Sequence, residues 1–142
     1  MSEEATPEHS FRETVEQIAR LRLTGPWPRL RGLFHDDARP ESIASGGISG
    51  PDETVNAMRL AAGDGVYKMG EWRIEHVEPD VMLLASTMRH LATVRPGRTG
   101  MIDASDVWLM VGRGGLLWRM RIFRTRESAL EHLRTHGETL GL

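Results

Sequence analysis

The sequence predicts an α+β fold, with helices in the first half of the chain and strands in the second. Apolar residues recur at helical spacing up to about residue 62, and from Trp72 onward the period changes from about 3.6 residues to two. Four alternating segments follow one another through short turns rich in Gly and Pro, which is typical of an antiparallel meander. Helices followed by a run of strands favour an α+β arrangement over a parallel α/β one.

Length and composition are those of an ordinary globular protein. The chain has 142 residues, of which 39% are hydrophobic and 27% charged, so we expect a single domain over residues 1–142, with residues 1–6 as a disordered tail. No segment has the roughly 18 consecutive apolar residues of a membrane span, and the acidic N-terminus is unlike a signal peptide. The absence of cysteine excludes disulfides and thiolate sites. We therefore expect a cytoplasmic protein without membrane association.

The first half of the chain predicts three helices. Ser10 and Glu13 fit a capping box that starts the first helix, and Gly25-Pro26 ends it. A short helix over about 27–34 and an extended segment over 37–45 come next, and Gly50-Pro51 opens the third helix. One face of the first helix carries Phe11, Val15, Ile18 and Arg22.

The second half predicts four strands and a final helix. The strands span residues 72–77, 81–94, 101–111 and 116–124, and the helix covers about 126–136 before Gly137.

Several local patterns occur together in one known superfamily. Gly25 lies twelve residues before Asp37, and the stretch between them contains Leu33-Phe-His35. Asp106-Val-Trp108 is followed by a Gly-rich turn, by Arg119-Met-Arg-Ile-Phe123 and by Arg126-Glu-Ser-Ala-Leu130. In this order the patterns resemble the SnoaL-like branch of the nuclear transport factor 2-like superfamily. The resemblance implies a cone-shaped fold: a strongly bent, mostly antiparallel sheet, N-terminal helices on its concave face, and a small-molecule pocket between them.

The last hairpin allows two interpretations. If Gly112–Gly115 form its turn, one face of the hairpin pairs Asp106 with Arg121, Trp108 with Arg119, and Ala104 with Phe123. The other face then carries Val107, Leu109, Met120 and Ile122. Either this apolar face is the core and Asp106–Arg121 is an exposed pair contributing about 0–1 kcal/mol, or the charged face lines the pocket. The resemblance favours the second interpretation, in which the apolar face would be covered by a second copy in a homodimer.

A charged pocket face predicts a particular ligand chemistry. Asp106 beside Arg121 would stay ionised, because a nearby cation favours the charged carboxylate. The guanidinium would stabilise a developing oxyanion, which suits an anionic or carbonyl-bearing small molecule. Trp108 and Phe123 would flank this pair, and Arg119 would either contact the ligand or stack on Trp108 as a cation–π pair.

Further lining residues follow from alignment with the family's pattern. On the strand 81–94 this alignment turns Ala85, Thr87 and Arg89 inward and His90 outward. His76 alternates with Trp72 and Ile74 and is expected to face inward. Ser42 stands where ketosteroid isomerases of the family have their carboxylate base. No His-x-His or Glu-x-x-His spacing occurs, so we expect neither a metal site nor a cofactor.

The best-known reactions of the family lack their residues here. Ser42 replaces the isomerase base, and the only tyrosine, Tyr67, lies outside the first helix. Arg121 stands where epoxide hydrolases have the last Asp of an Asp-Arg-Asp relay, with Ala85 and Thr87 at the other positions. The remaining hypothesis is a cyclase- or isomerase-like enzyme in which Asp106 transfers protons. The alternative is a non-catalytic carrier of a small anionic or aromatic metabolite.

Nucleic acid is not an expected partner. Net charge is −2, although residues 89–126 contain eight arginines against two aspartates. These arginines alternate between sheet faces and turns, and no aromatic residues are interleaved for base stacking.

Overall fold

Within the described residues, the strands form a single six-stranded sheet in the order β2-β1-β6-β5-β4-β3. A computed structural model describes residues 7–42, 47–63 and 67–142. Neighbouring strands are antiparallel except β1 and β6, which are parallel. The strands are β1 Phe34–Ser42, β2 Gly47–Ile48, β3 Tyr67–Glu78, β4 Val81–Arg95, β5 Arg98–Arg113 and β6 Leu116–Phe123. The helices are α1 Pro7–Leu21, α2 Trp27–Arg31, α3 Pro51–Gly63 and α4 Arg126–His136, followed by a 3₁₀ turn at Gly137–Thr139.

This architecture confirms the predicted α+β fold with a mostly antiparallel sheet, and it corrects two local expectations. Helix α1 begins at Pro7, because proline suits the first helical turn, so the predicted cap at Ser10 is wrong. Phe34 belongs to β1 and not to the short second helix, since Gly32 follows α2 and Phe34 starts an extended segment with buried positions. The predicted tail and the end of the segment over 37–45 lie outside the described residues. No helix in the described part of the chain is long and apolar enough to cross a bilayer.

The sheet carries a hydrophobic core on each of its two faces. On the helix-side face, helices α1, α2 and α3 pack against the sheet, and the fully buried α1 residues Phe11, Val15 and Ile18 belong to this core, as predicted. On the other, α4-side face, Ala129 of α4 belongs to the core. The helix-side core includes Met82, Leu84, Trp108, Met110 and Met120, and the α4-side core includes Leu83, Val107, Leu109, Val111 and Trp118.

The register of the β5–β6 hairpin differs from the predicted one. Arg113 pairs with Leu116, so the turn has two residues, Gly114 and Gly115, and both have positive φ, at 62° and 80°. Such a turn needs glycine because side chains disfavour positive φ. A bulge next to the turn, between the pairs Val111–Arg119 and Gly112–Leu117, adds one residue to β6.

The new register exchanges the faces of the predicted site. Leu109 takes the position opposite Arg121 that was predicted for Asp106, an offset of three residues. An odd offset moves a whole strand to the other face, because side chains alternate with period two. The predicted pairs Asp106–Arg121 and Trp108–Arg119 are therefore wrong. Asp106 and Trp108 share the helix-side face with Met120 and Ile122, whereas Arg119, Arg121 and Phe123 lie on the α4-side face.

The predicted orientation of β4 is also wrong. Ser86 pairs with Asp106, so the residues that face the helices are Ser86 and its even-numbered neighbours. Ala85, Thr87 and Arg89 alternate with these and belong to the α4-side face. The cause is that residues 81–84 are all buried, since both faces of β4 are covered, and a strand of this kind shows no polar alternation.

The observed β5–β6 register also removes the continuous apolar face from which a homodimer was predicted. The predicted apolar face is divided, with Val107 and Leu109 on the α4-side face and Met120 and Ile122 on the helix-side face. Leu109 is covered by α4 of the same chain and is fully buried. The homodimer stays a prediction, without an exposed apolar patch at these four positions to support it.

The contact between α1 and β5 predicts a specific sensitivity at Gly112. A Cβ at this position would lie 2.5 Å from the ring of Phe11, which is fully buried and has no space to move. We expect Gly112→Ala to lower the free energy of unfolding by about 1–3 kcal/mol in urea denaturation. Gly63→Ala is the control, because its Cβ would meet nothing within 4 Å. Equal stability of the two variants would contradict the packing of α1 on β5.

Candidate functional site

Asp106 lies on the helix-side face of β5 and is half-buried. Ser86, directly opposite on β4, donates a hydrogen bond from Oγ to Oδ1 of Asp106 at 3.1 Å. Trp108 lies two residues further along the same face and is 5% exposed. Its buried Nε1 does not meet strict hydrogen-bond geometry with any described residue. The N–H is nevertheless a favourable neighbour of the Asp106 carboxylate and lowers the pKa of that group.

Arg22 supplies the positive charge of this site from just beyond the end of α1. Its side chain is 1% exposed, and its guanidinium carbon lies 4.7 Å from the centre of the Trp108 ring. Burial lowers the pKa of Arg22 to about 10, and attraction to Asp106 opposes that shift. The helical spacing predicts Arg22 on the apolar face of α1, but it predicts no role for this residue. A cationic residue on an apolar helix face could have identified Arg22 as a candidate site residue, since charged residues are seldom fully buried without compensation.

The pKa of Asp106 is raised above its ordinary value. Burial is the largest cause, and the interactions with Trp108, Ser86 and Arg22 oppose it. The prediction that Arg121 is the cation beside this carboxylate is wrong, because Arg121 lies on the other face and Arg22 takes that place. A carboxyl group with a raised pKa holds its proton at a higher pH and, when ionised, is a stronger base.

A cavity of about 630 Å³ adjoins Asp106. It crosses three strands and is lined by residues 70–73 of β3, 85–87 of β4, 105–107 of β5, and Arg124. Its size lies within the roughly 300–1,000 Å³ of small-molecule sites. More of its lining side chains belong to the α4-side face than to the helix-side face of Asp106, the former being Arg73, Ala85, Thr87, Ser105 and Val107 and the latter Trp72, Ser86 and Asp106.

The other residues of the predicted hairpin site are dispersed. Trp108 is buried under Arg22, and Arg121 forms an ion pair with Glu41 at 3.8 Å. Arg119 stacks on Trp118 at 3.8 Å, so the predicted stacking of Arg119 on Trp108 is wrong. Phe123 belongs to the α4-side core, and its ring centre is 5.3 Å from that of His132 on α4.

Of the residues predicted from the family's pattern, Ala85 and Thr87 line the cavity. Oγ1 of Thr87 lies 3.4 Å from Oγ of Ser105, whereas Arg89 lies exposed further along β4. Ser42 is buried at the end of β1. His76 pairs with Met82 of the helix-side core and so has the predicted orientation, but it lies four residues along β3 from Trp72. The side chain of His90 lies outside the described residues.

In the described ranges, no group of three or more His, Cys, Asp or Glu side chains is arranged to hold a metal ion.

Comparisons with known proteins address the fold. No protein-family model matches the sequence, and no curated protein is significantly similar to it. Among solved structures, a candidate polyketide cyclase from Xanthomonas campestris pv. campestris has a TM-score of 0.65 and 9% identity, covering 86% of this chain and 95% of that one. The epoxide hydrolase/cyclase-like enzyme SalBIII, described for pyran ring formation in polyether salinomycin, has a TM-score of 0.62 and 15% identity, with coverage of 87% and 96%.

A protein of unknown function from Burkholderia pseudomallei K96243, described as nuclear transport factor 2-like, has a TM-score of 0.63 and 15% identity, with coverage of 88% and 95%. At such low identities the likeness concerns the fold and carries no activity with it. It confirms the resemblance inferred from the sequence at that level. The chain therefore has the nuclear transport factor 2-like fold.

Proposed function

We propose that this protein binds a small molecule on the helix-side face of the sheet beside Asp106, and that the Asp106 carboxyl group transfers a proton to or from it. This is the chemistry of a cofactor-independent cyclase or isomerase. The observation that carries the proposal is the position of Asp106, a half-buried carboxyl group with a raised pKa beside the Ser86 hydroxyl and the buried Arg22.

The surroundings of Asp106 suit a group that must exist in both protonation states. Burial favours the neutral acid, whereas Arg22 and the Ser86 hydroxyl favour the carboxylate. These influences act in opposite directions, so the site stabilises the neutral acid through burial and the carboxylate through Arg22 and Ser86. The hydrogen bond from Ser86 also limits rotation of the carboxyl group, which keeps one oxygen in a defined direction.

The helix-side face beside Asp106 favours a ligand with a carbonyl or anionic group. Arg22 is the buried cation on this face, and a guanidinium near the ligand stabilises negative charge that develops on a carbonyl oxygen. The Ser86 hydroxyl is a donor that can also accept a hydrogen bond. The cyclase descriptions of two structural neighbours support ring closure or isomerisation as the reaction class.

Proton transfer by Asp106 predicts a large loss of activity in Asp106→Asn. The amide has nearly the same shape but cannot act as a base, so turnover should fall by about 10²–10⁴-fold. The measurement is NMR detection of deuterium uptake from D₂O, or of ring closure, over a panel of polyketide-like β-dicarbonyl compounds. Asp36→Asn is the control, because that side chain is 92% exposed on β1.

Unchanged turnover in Asp106→Asn would remove Asp106 from the chemistry. Tight binding of a panel compound by both proteins, with no reaction in either, would favour the carrier interpretation over the enzymatic one.

The raised pKa of Asp106 also predicts a pH dependence of stability. Its ordinary value is 3.8, and the folded state holds the proton at pH values where the unfolded chain has lost it. The contribution of Asp106 is therefore complete below its ordinary pKa and is lost as the pH rises through the raised one. The variant Asp106→Asn has no carboxyl group to ionise at this position, so it does not lose this stability as the pH rises. Its free energy of unfolding should therefore exceed that of the wild type at pH 7, by a margin that shrinks towards pH 4. Urea denaturation across this range measures the margin, and a variant less stable at pH 7 would contradict the account.

A further inference from the structure

Three arginines surround Trp118 on the α4-side face, away from Asp106. Arg119 on β6 is directly opposite Arg39 on the parallel strand β1, and Arg113 precedes the Gly114–Gly115 turn. The guanidinium carbons of Arg113 and Arg119 lie 3.6 Å and 3.8 Å from the centre of the Trp118 ring. We call Arg39, Arg113 and Arg119 the arginine cluster.

The arginine cluster departs from the charge pairing found beside it. On the same two strands, Glu41 of β1 forms an ion pair with Arg121 of β6 at 3.8 Å. Arg39 and Arg119 are like charges placed directly opposite each other, which destabilises a sheet. The side chains of Arg39 and Arg113 form no hydrogen bond or ion pair with any residue in the described ranges.

Arg119 is held in place by contacts that do not neutralise its charge. Its Nη1 donates to the backbone oxygens of Asp37 at 2.9 Å and Trp118 at 3.0 Å. Burial, then repulsion from Arg39 and Arg113, lowers the pKa of Arg119, and the Asp37 carboxylate opposes that shift. The result is a fixed guanidinium in a positive field, and such a group needs little rearrangement to bind an anion.

A second cavity, of about 560 Å³, opens beside two members of the cluster. Arg39 and Arg119 line it, together with Ser49, Gly50 and Pro51, the residue at which α3 begins. Two acids also line it, but Asp36 forms an ion pair with Arg31 at 3.1 Å. In this cavity wall, Asp37 is thus the carboxylate left to offset the positive charges of Arg39 and Arg119.

We propose that this second cavity binds a small oxyanion, through a phosphate or carboxylate group held between Arg39 and Arg119. A planar guanidinium can donate two parallel hydrogen bonds to either group, and an anion there would relieve the repulsion between the two arginines. This site is separate from the cavity at Asp106, so it stands or falls independently of the proposed function.

The test is binding of inorganic phosphate and of malonate, measured by isothermal titration at constant ionic strength on the full chain. In Arg39→Gln, affinity for the preferred anion should fall about tenfold or more, because one charge-assisted contact is lost. The same variant should melt at a higher temperature than the wild type in the absence of either anion, since the repulsion with Arg119 is gone. Arg12→Gln, a change at an exposed position on α1, should alter neither quantity.

Tighter binding of phosphate identifies a phosphate group as the ligand, and tighter binding of malonate identifies a carboxylate. Equal affinity of Arg39→Gln and the wild type would overturn the proposal. So would the absence of saturable binding of both anions at millimolar concentration, or a lower melting temperature of Arg39→Gln without anion.

Discussion

The arrangement of both proposed sites depends on the register of the β5–β6 hairpin. The Gly114–Gly115 turn and the adjacent bulge place Trp108 opposite Ile122 and Leu109 opposite Arg121. Because side chains alternate along a strand, a shift by one residue would put Asp106 on the same face as Arg121. Helix α1 contacts the turn as well, since the Thr14 hydroxyl donates a hydrogen bond to the backbone oxygen of Gly115. The hairpin is thus held by its own glycines and by the helix above it.

This register separates two electrostatic environments across one sheet. On the helix-side face, burial raises the pKa of the Asp106 carboxyl group and the buried cation Arg22 lowers it. On the α4-side face, Arg39 and Arg113 both repel Arg119, and Asp37 opposes their effect. The first environment suits proton transfer, because burial favours the neutral form of Asp106 and Arg22 favours the carboxylate. The second favours the binding of an anion, because its cations are held close together.

The fold was predictable from the sequence because its elements have strong periodic patterns. The helical spacing of Phe11, Val15 and Ile18 identified the buried face of α1, and α4 has the predicted bounds. Where the pattern was weak the predictions were wrong. The Gly-rich stretch 112–115 fits a two-residue or a four-residue turn, and it does not reveal the one-residue bulge in β6 that puts Asp106 and Arg121 on opposite faces. Residues 81–84 are buried on both faces of β4, so no alternation reveals their orientation.

The candidate site was less predictable, because its partners come from distant parts of the chain. Asp106 was selected from the sequence and remains the proposed proton-transfer group, but with Arg22 and Ser86 as neighbours in place of Arg121. A sequence shows that Arg22 lies on an apolar helix face, and it does not show which strand residue that face covers. The Arg39–Arg119 juxtaposition was also hidden, since it requires the parallel pairing of β1 with β6.

Asp106 lies in a desolvated site, where burial raises the pKa of its carboxyl group and the charge of Arg22 lowers it. The most direct measurement is an NMR titration of the carboxyl carbon of Asp106 in the wild type and in Arg22→Met. The account predicts a pKa above 3.8 in the wild type and a higher value in Arg22→Met, because the compensating charge is removed. A wild-type pKa below 3.8, or no difference between the two proteins, would contradict it.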